Sequence, residues 1–226
     1  MSGFMEYTKT TEINNGIYLE EYTDGLLFGT DALLLSRFVK GDPKKVAVDI
    51  GCGSGAVSLL LLSENKAMHI TGIEIQEKYA LLSLKNASTN GFKNRFSCVN
   101  GDARNPKGLF EAENADYVVS NPPFMKANGG KFNINQSKTI ARHEEFLPAD
   151  DLCKAASLFL KYGGSFYVVY RPERLCTLIT ALKTNNLEPK RIEFMMANNE
   201  QKSPSLVFVE AKKGGAEGVS IRFITP

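Results

Sequence analysis

The chain reads Asp49-Ile50-Gly51-Cys52-Gly53-Ser54-Gly55 where one apolar run ends, and Asn121-Pro122-Pro123-Phe124 where another ends. The glycines of the first stretch allow a tight turn and let a ligand approach bare backbone. A helix that opens directly after such a turn adds free N–H donors and a partial positive charge. The first stretch therefore predicts a strand–turn–helix unit that can hold a ligand, and the second lies at the end of a later strand.

Around these two stretches, apolar runs alternate with amphipathic segments along most of the chain. We predict strands at 46–50, 69–74, 96–100, 115–120, 165–170, 191–196 and 206–211. We predict helices at 30–39, 56–64, 77–89, 149–161 and 172–185. This order predicts an α/β fold with a doubly wound, mostly parallel sheet and helices on both faces. The last two strands lack a helix between them, which indicates an antiparallel pair.

The composition fits one compact unit. The 226 residues are 43% hydrophobic and 23% charged, which suffices for one large domain with a small appendage. Because the beginning of the chain is less regular, we predict an extension at 1–45 that packs over the ligand site and a main domain at 46–226. The formal net charge is +2, so any surface for nucleic acid must be a local patch.

The class of protein is limited further by its cysteines, its histidines and the lengths of its apolar runs. The four cysteines form no C-x-x-C pair and the two histidines have no ligand spacing, so we predict no metal site. The N-terminus lacks the basic start and apolar stretch of a secretory signal. Apolar runs such as 59–62 are far shorter than the ~20 residues that span a bilayer. We therefore expect a cytoplasmic protein with no membrane partner.

Acidic residues end the predicted strands near the glycine loop. They are Asp49, Glu74 and Asp102. Ligands of open α/β sheets bind beyond the carboxyl ends of the strands, where all three fall. The loop also satisfies the dinucleotide pattern G-x-G-x-x-G/A, which leaves NAD open as a ligand. However, Asp49 would repel a pyrophosphate, Glu74 is placed to accept both ribose hydroxyls, and Asp102 suits an adenine amino group. These features favour S-adenosylmethionine over NAD.

The Asn-Pro-Pro-Phe stretch has the groups needed to hold a flat amine. The exocyclic amine of adenine is a poor nucleophile because its lone pair is delocalised into the ring. The side-chain carbonyl of Asn121 and the main-chain carbonyl of Pro122 can hold its two N–H protons and draw the nitrogen toward tetrahedral geometry. The prolines fix the direction of these carbonyls, and Phe124 offers a face for base stacking. Orientation in a dry site, rather than a strong general base, would then promote methyl transfer.

These motifs resemble those of class I S-adenosylmethionine-dependent methyltransferases with an N-P-P-[YF] motif. More narrowly, the chain resembles the bacterial adenine-N6 methyltransferases that act on valine tRNA, within the methyltransferase small domain group. The stretches that carry the resemblance are 28–34, 49–55, 72–75, 121–124, 205–210 and 212–215. The resemblance implies a seven-stranded Rossmann-like sheet whose last strand is antiparallel.

The resemblance also implies which residues act. Catalytic contacts are expected of Asn121, Pro122, Pro123 and Phe124. The resemblance implies cofactor contacts at Asp49, Gly51, Glu74, Ile75, Asp102 and Asn121, and we also expect them at Phe28, Gly29, Thr30, Cys52, Gly53, Gly55 and Ala103. Within this set, 28–30 resembles the piece of the family that covers the methionine end of the cofactor. The side chain of Cys52 is expected to pack rather than to react.

A polar segment at 125–148 follows the Asn-Pro-Pro-Phe stretch and is a candidate for substrate contact. It carries Lys126, Arg142 and His143 together with Phe132 and Phe146. Basic loops with aromatic residues suit flipped RNA bases. We therefore predict methylation of the N6 amine of adenine in RNA, with tRNA as the expected partner. Methylation of a protein glutamine at N5, DNA adenine-N6 methylation, a nicotinamide-dependent oxidoreductase and a noncatalytic RNA-binding module remain alternatives.

Overall fold

The computed structural model describes residues 7–25, 27–122, 147–196 and 203–225. The helices in these ranges are α1 (Thr30–Phe38), α2 (Ala56–Ser63), α3 (Glu77–Thr89), α4 (Ala149–Phe159) and α5 (Leu175–Thr184), the last preceded by a 3-10 turn at Pro172–Arg174. The strands are β1 (Thr8–Asn14), β2 (Ile17–Tyr22), β3 (Val46–Ile50), β4 (His69–Glu74), β5 (Phe96–Asn100), β6 (Ala115–Ser120), β7 (Leu160–Tyr170), β8 (Leu187–Met195), β9 (Leu206–Lys213) and β10 (Ser220–Ile224). None of these helices is long and apolar enough to cross a membrane.

One sheet forms the centre of the fold, with eight strands in the order β10-β8-β9-β7-β6-β3-β4-β5. Strand β9 is antiparallel to both of its neighbours, β7 and β8, and the other strand pairs are parallel. The predicted α/β sheet, with its antiparallel pair at the end, is therefore confirmed. All seven predicted strands are present as β3 to β9, and β10 adds an eighth beside β8. Strands β1 and β2, which the sequence analysis did not predict, form a separate antiparallel hairpin.

The junction between α4 and β7 differs from the predicted boundary. The helix ends at Phe159 and the strand begins directly at Leu160, so the pair Gly163-Gly164 lies inside the strand rather than before it. Gly163 has φ of +79°, and the pairing of β7 with β6 shifts register in this stretch. The glycines therefore accommodate an irregularity in the strand, which a sequence pattern cannot distinguish from a break.

Helices cover both faces of the sheet, and each face has its own apolar cluster. Helices α4 and α5 contribute Phe159 and Leu182 to one cluster, and helices α1 and α2 contribute Leu35 and Leu60 to the other. Leu19 of the hairpin is fully buried in the second cluster. The described residues that precede β3 therefore contribute side chains to the core of the sheet.

The carboxyl ends of β6, β3, β4 and β5 lie side by side and are tied to one another. The hydroxyl of Ser120, at the end of β6, donates to the carbonyl of Ile50 at the end of β3 (2.8 Å). The N–H of Gly51 donates to the carbonyl of Ile73 in β4 (2.8 Å). The N–H of Gly101, after β5, donates to the carbonyl of Glu74 at the end of β4 (3.0 Å). These bonds give the residues that follow the four strands a fixed arrangement along one edge of the sheet.

Candidate active site

The glycine loop between β3 and α2 turns with three left-handed residues. Gly51, Gly53 and Gly55 have φ of +73°, +54° and +91°, a region that side chains other than glycine rarely adopt. A Cβ atom built on Gly51 or Gly53 would meet no atom within 4 Å, so open space lies against the loop backbone. At Gly55, by contrast, a Cβ would lie 3.3 Å from Ser83 Cβ in α3. The first two glycines therefore leave room for a ligand, and the third allows close packing of loop and helix.

The carboxylate of Glu74 holds the glycine loop in this shape. Its two oxygens accept the N–H of Gly53 (3.0 Å) and the N–H of Gln76 (2.9 Å), and the residue is 6% exposed. The sequence analysis did not predict this link between the end of β4 and the loop. A carboxylate oxygen can accept more than one hydrogen bond, so the predicted contact with ribose hydroxyls stays compatible with these bonds.

Asp49 is buried below the loop rather than open to the site. It is 1% exposed, and Ser58 of α2 donates its hydroxyl to Oδ2 (2.7 Å). Burial raises the pKa of Asp49 to about 7, and the nearby charge of Glu74 acts in the same direction, while the bond from Ser58 opposes it. Asp49 therefore lies behind the loop backbone, with its carboxylate bonded to α2.

Asp102 follows β5 and is engaged by a neighbouring cation. Arg104 donates from Nε and Nη2 to the two carboxylate oxygens at 2.6–3.0 Å. The hydrogen bond from Arg104 lowers the pKa of Asp102, so the carboxyl is ionised at neutral pH. Directly after β4, the side chain of Ile75 is 40% exposed and offers an apolar surface at the same edge. Asn100 fixes that position, because its amide donates to the carbonyl of Ile75 (3.0 Å).

Two of the predicted cofactor residues have side chains that face the interior. The thiol of Cys52 is buried, and its Sγ lies 3.7 Å from Sγ of Cys98. The hydrogen bond with Cys98, together with burial, raises the pKa of the Cys52 thiol well above its usual value. Ala103 is 7% exposed and belongs to the apolar cluster beneath α4. These two residues can therefore contribute backbone groups to a site, but not reactive side chains.

Asn121 has a buried acceptor to which no described residue donates. It follows β6 at the same edge as the glycine loop, and its Oδ1 is buried without a hydrogen-bond partner among the described residues. Buried polar atoms are hydrogen-bonded in most native structures, so this oxygen is available to a donor that the described residues do not supply. Pro122 follows Asn121 and is the last described residue here. The other predicted residues of this region, Pro123, Phe124, Lys126, Arg142 and His143, lie outside the described residues.

Two asparagines, one in α3 and one directly after it, tie the hairpin to the site, a feature that was not predicted from the sequence. Asn86 accepts the N–H of Glu20 (3.0 Å) and donates to the carbonyl of Glu20 and to the carbonyl of Ser54 in the glycine loop (2.9 Å each). One turn later, Asn90 accepts the N–H of Tyr18 and donates to its carbonyl (2.8 and 2.7 Å). The two amides thus pair with alternate residues of β2 as a neighbouring strand would.

The segment that contains Phe28, Gly29 and Thr30 is joined to the same assembly. The buried carboxylate of Glu21, next to Glu20 in β2, accepts the N–H of Phe28 (2.5 Å). Burial raises the pKa of Glu21, and the bond from Phe28 opposes that effect. Gly29 precedes the first turn of α1. The segment is therefore connected to the glycine loop through β2 and Asn86, with no direct bond between them among the described residues.

The sheet order, the glycine loop and the acidic strand ends together define a methyltransferase fold. Residues 14–188 match the methyltransferase small domain family, and the chain belongs to that family. The chain is 31% identical over 170 residues to the tRNA1(Val) (adenine(37)-N6)-methyltransferase of Porphyromonas gingivalis, a match that covers 73% of this chain and 66% of the relative. It is 30% identical over 142 residues to the protein of the same name from Aliivibrio salmonicida, covering 62% and 58%. The matches thus span less than two thirds of either relative.

Solved structures show the same fold at lower sequence identity. A predicted O-methyltransferase from Agrobacterium tumefaciens superposes with a TM-score of 0.67 at 20% identity, covering 87% of this chain and 86% of that one. M. jannaschii TYW2, solved in complex with AdoMet, superposes with a TM-score of 0.61 at 15% identity, covering 94% and 88%. At these identities the likeness establishes the architecture and leaves the chemistry to the site.

Proposed function

We propose that this protein transfers a methyl group from S-adenosylmethionine to the N6 amine of adenine in RNA, with tRNA as the substrate class. The observation that carries the proposal is the buried Oδ1 of Asn121, to which no described residue donates, at the edge of the sheet where the glycine loop turns. The names of the relatives from Porphyromonas gingivalis and Aliivibrio salmonicida support tRNA adenine as the target. We further propose that the protein acts in the cytoplasm.

The residues at this edge fit S-adenosylmethionine. The open space against Gly51 and Gly53 admits a ligand close to backbone N–H and carbonyl groups. Glu74 would accept ribose hydroxyls, Asp102 the adenine amino group, and the exposed side chain of Ile75 would cover the adenine ring. When bound, S-adenosylmethionine supplies a methyl group attached to a positively charged sulfur. We also propose that residues 1–45 form an extension that packs over this site, with 46–226 as the main domain.

Asn121 and Pro122 would position the amine. The carbonyl oxygen of the Asn121 side chain accepts one N–H of the adenine amine, and the main-chain carbonyl of Pro122 accepts the other. Holding both protons in the plane of these acceptors turns the nitrogen lone pair away from the ring and toward the methyl group. Because Asn121 lies at the end of β6, beside β3, the amine is held next to the loop that holds the cofactor. The effect is one of orientation and of stabilising the charge that develops on nitrogen.

The reaction can be tested with bulk tRNA from a strain that lacks the gene. The protein is incubated with this tRNA and methyl-labelled S-adenosylmethionine, and the RNA is digested to nucleosides for mass spectrometry. We expect labelled N6-methyladenosine and no other labelled nucleoside. Cofactor binding by calorimetry without labelled RNA would overturn the RNA assignment, and parallel incubations with DNA and with a glutamine-containing protein substrate would test the two alternatives that use the same amine chemistry.

Asn86→Ala is expected to weaken binding of S-adenosylmethionine and to lower the free energy of unfolding. The variant leaves the backbone groups of Glu20 and the carbonyl of Ser54 without partners, which costs about 1–3 kcal/mol of unfolding free energy. Asn90→Ala is the matched control, because it releases Tyr18 of the hairpin but makes no bond to the glycine loop. Urea denaturation should show a loss for both variants, whereas calorimetry should show a loss of cofactor affinity that is larger for Asn86→Ala. Equal affinities for the two variants would mean that the bond to Ser54 does not shape the site.

A further inference from the structure

A basic groove lies beside the proposed site, and no part of the methyl-transfer chemistry uses it. Its cavity of about 330 Å³ is bounded by the loop after β5 and by one face of α4. Its lining residues are Arg104, Asn105, Pro106, Lys107, Lys154 and Leu158. Three of the six carry a positive charge and none carries a negative charge. We call this cavity the basic groove.

The charges of the groove differ in how they are compensated. Arg104 is held by Asp102, and Asp151 of α4 also acts on it electrostatically, so its charge is largely balanced. Lys107 and Lys154 are exposed, and among the described residues neither has an acidic group within 4.0 Å. Among the described residues, the groove therefore presents two cations without a close acidic partner, one on each wall, together with an apolar lining from Pro106 and Leu158.

The groove is also placed next to the residues that would bind the cofactor. Its loop begins at Asp102, whose carboxylate fixes the guanidinium of Arg104 with a bidentate bond. Its other wall is α4, the first helix after Asn121 and Pro122 that the structure describes. A nucleic acid strand that delivers a base to Asn121 has a phosphate on either side of that base. Cations close to the site can contact these phosphates.

We propose that the basic groove binds the phosphate backbone of the RNA substrate, with Lys107 and Lys154 as the phosphate contacts. The proposal rests on the proposed function, since it assigns the surface that receives the same RNA. The two lysines would hold the strand in place without reading its sequence, and Arg104, fixed by Asp102, would help to orient a phosphate at the end of the groove nearest the cofactor.

The test compares the double variant Lys107→Ala/Lys154→Ala with the unchanged protein. Loss of two phosphate contacts should raise the Kd for tRNA about 10- to 30-fold at 0.15 M salt, and should reduce the slope of log K against log salt by about 2. At saturating tRNA, kcat should stay near its original value, and the Kd for S-adenosylmethionine should not change. Lys44→Ala/Lys93→Ala is the matched control, because both of these lysines are exposed at the amino ends of strands, on the opposite edge of the sheet.

The outcomes separate this proposal from the proposed function. An unchanged Kd for tRNA and an unchanged salt slope for the groove variant would overturn the proposal that the basic groove binds RNA, even if the protein methylates tRNA. Weaker tRNA binding by the groove variant, but not by the control, supports RNA binding in the basic groove. This support holds even if the bound RNA is never methylated, a result that would overturn only the proposed reaction. An equal loss for the groove and control variants would show a general charge effect and would also overturn the groove.

Discussion

Asn121→Ala is expected to lower kcat for methyl transfer by about 10²- to 10³-fold, the range found when one positioned hydrogen-bonding group is removed from an active site. The side-chain oxygen is buried and has no partner among the described residues, so its removal should disturb little else in the fold. The Kd for S-adenosylmethionine should stay close to that of the unchanged protein. Single-turnover rates with tRNA at saturating cofactor would measure the loss directly, since they exclude product release.

Two variants control for this result. Asn121→Asp keeps an acceptor oxygen at the same place, so it should lose less activity than the alanine variant. Asn114→Ala changes an asparagine just before the opposite end of β6, whose side-chain amide donates only to Glu111 among the described residues, and it should methylate at the original rate. A normal rate for Asn121→Ala would rule out the acceptor role. A parallel loss of cofactor affinity would instead place Asn121 among the cofactor contacts, which the family resemblance also implies.

The central sheet could be predicted from the sequence because each of its strands has a local pattern. Strands β3, β4 and β6 are buried on both faces, so they appear as short continuous apolar runs that end at glycine or polar residues. The positions of Glu74, Asp102 and Asn121 then follow from the rule that parallel strands end at one edge. The same reasoning predicts which residues meet at the site, but not what each of them already contacts.

The hairpin and the last strand were not predicted from the sequence, for a physical reason. Strand β1 is mostly exposed and polar, and β10 is exposed along nearly its whole length, so neither has the buried face that produces an apolar pattern. The hairpin is instead held by Asn86 and Asn90, side chains that contact backbone 66 and 72 residues away. Contacts of this kind depend on the tertiary fold and leave no local periodicity.

The surroundings of Asp49 and Glu74 could likewise not be predicted from the sequence. Asp49 was predicted to belong to the cofactor site, and the structure adds that it is buried behind the loop with Ser58 as its partner. Glu74 was expected to face ribose, and it also supports the loop through Gly53. In both cases the residue type and its position on a strand end were informative, whereas burial and hydrogen-bond partners required the packed structure.

Burial of Asp49 should make the stability of the protein fall as pH rises through the range from about 4 to 7. Its pKa in the folded protein is about 7, against 3.8 without the surrounding protein. Below pH 4 the carboxyl is protonated in both the folded and the unfolded chain, and it has no effect. Between the two values the unfolded chain releases the proton and the folded chain retains it, so unfolding becomes more favourable. Above pH 7 the penalty is constant, and the full difference corresponds to about 4 kcal/mol as an upper limit.

Asp49→Asn should therefore stabilise the ligand-free protein at pH 8, by up to about 4 kcal/mol, and should flatten the dependence of the unfolding free energy on pH. The asparagine can still accept the hydroxyl of Ser58, so the local geometry is retained. Urea denaturation between pH 4.5 and 8.5 measures both effects. An unchanged pH profile would mean that the carboxyl is ionised in the folded protein at pH 5 to 6.

Asp116→Asn provides a control with the opposite sign. Burial acts to raise the pKa of Asp116, but the bonds from Lys161 and from the N–H of Val46 outweigh it, so the pKa is lowered. This carboxylate stabilises the fold at neutral pH, and its contribution is lost as pH falls, so Asp116→Asn should destabilise the protein at pH 7. If Asp49→Asn is more stable but binds S-adenosylmethionine more weakly, the buried carboxyl lowers stability while supporting the loop that holds the cofactor.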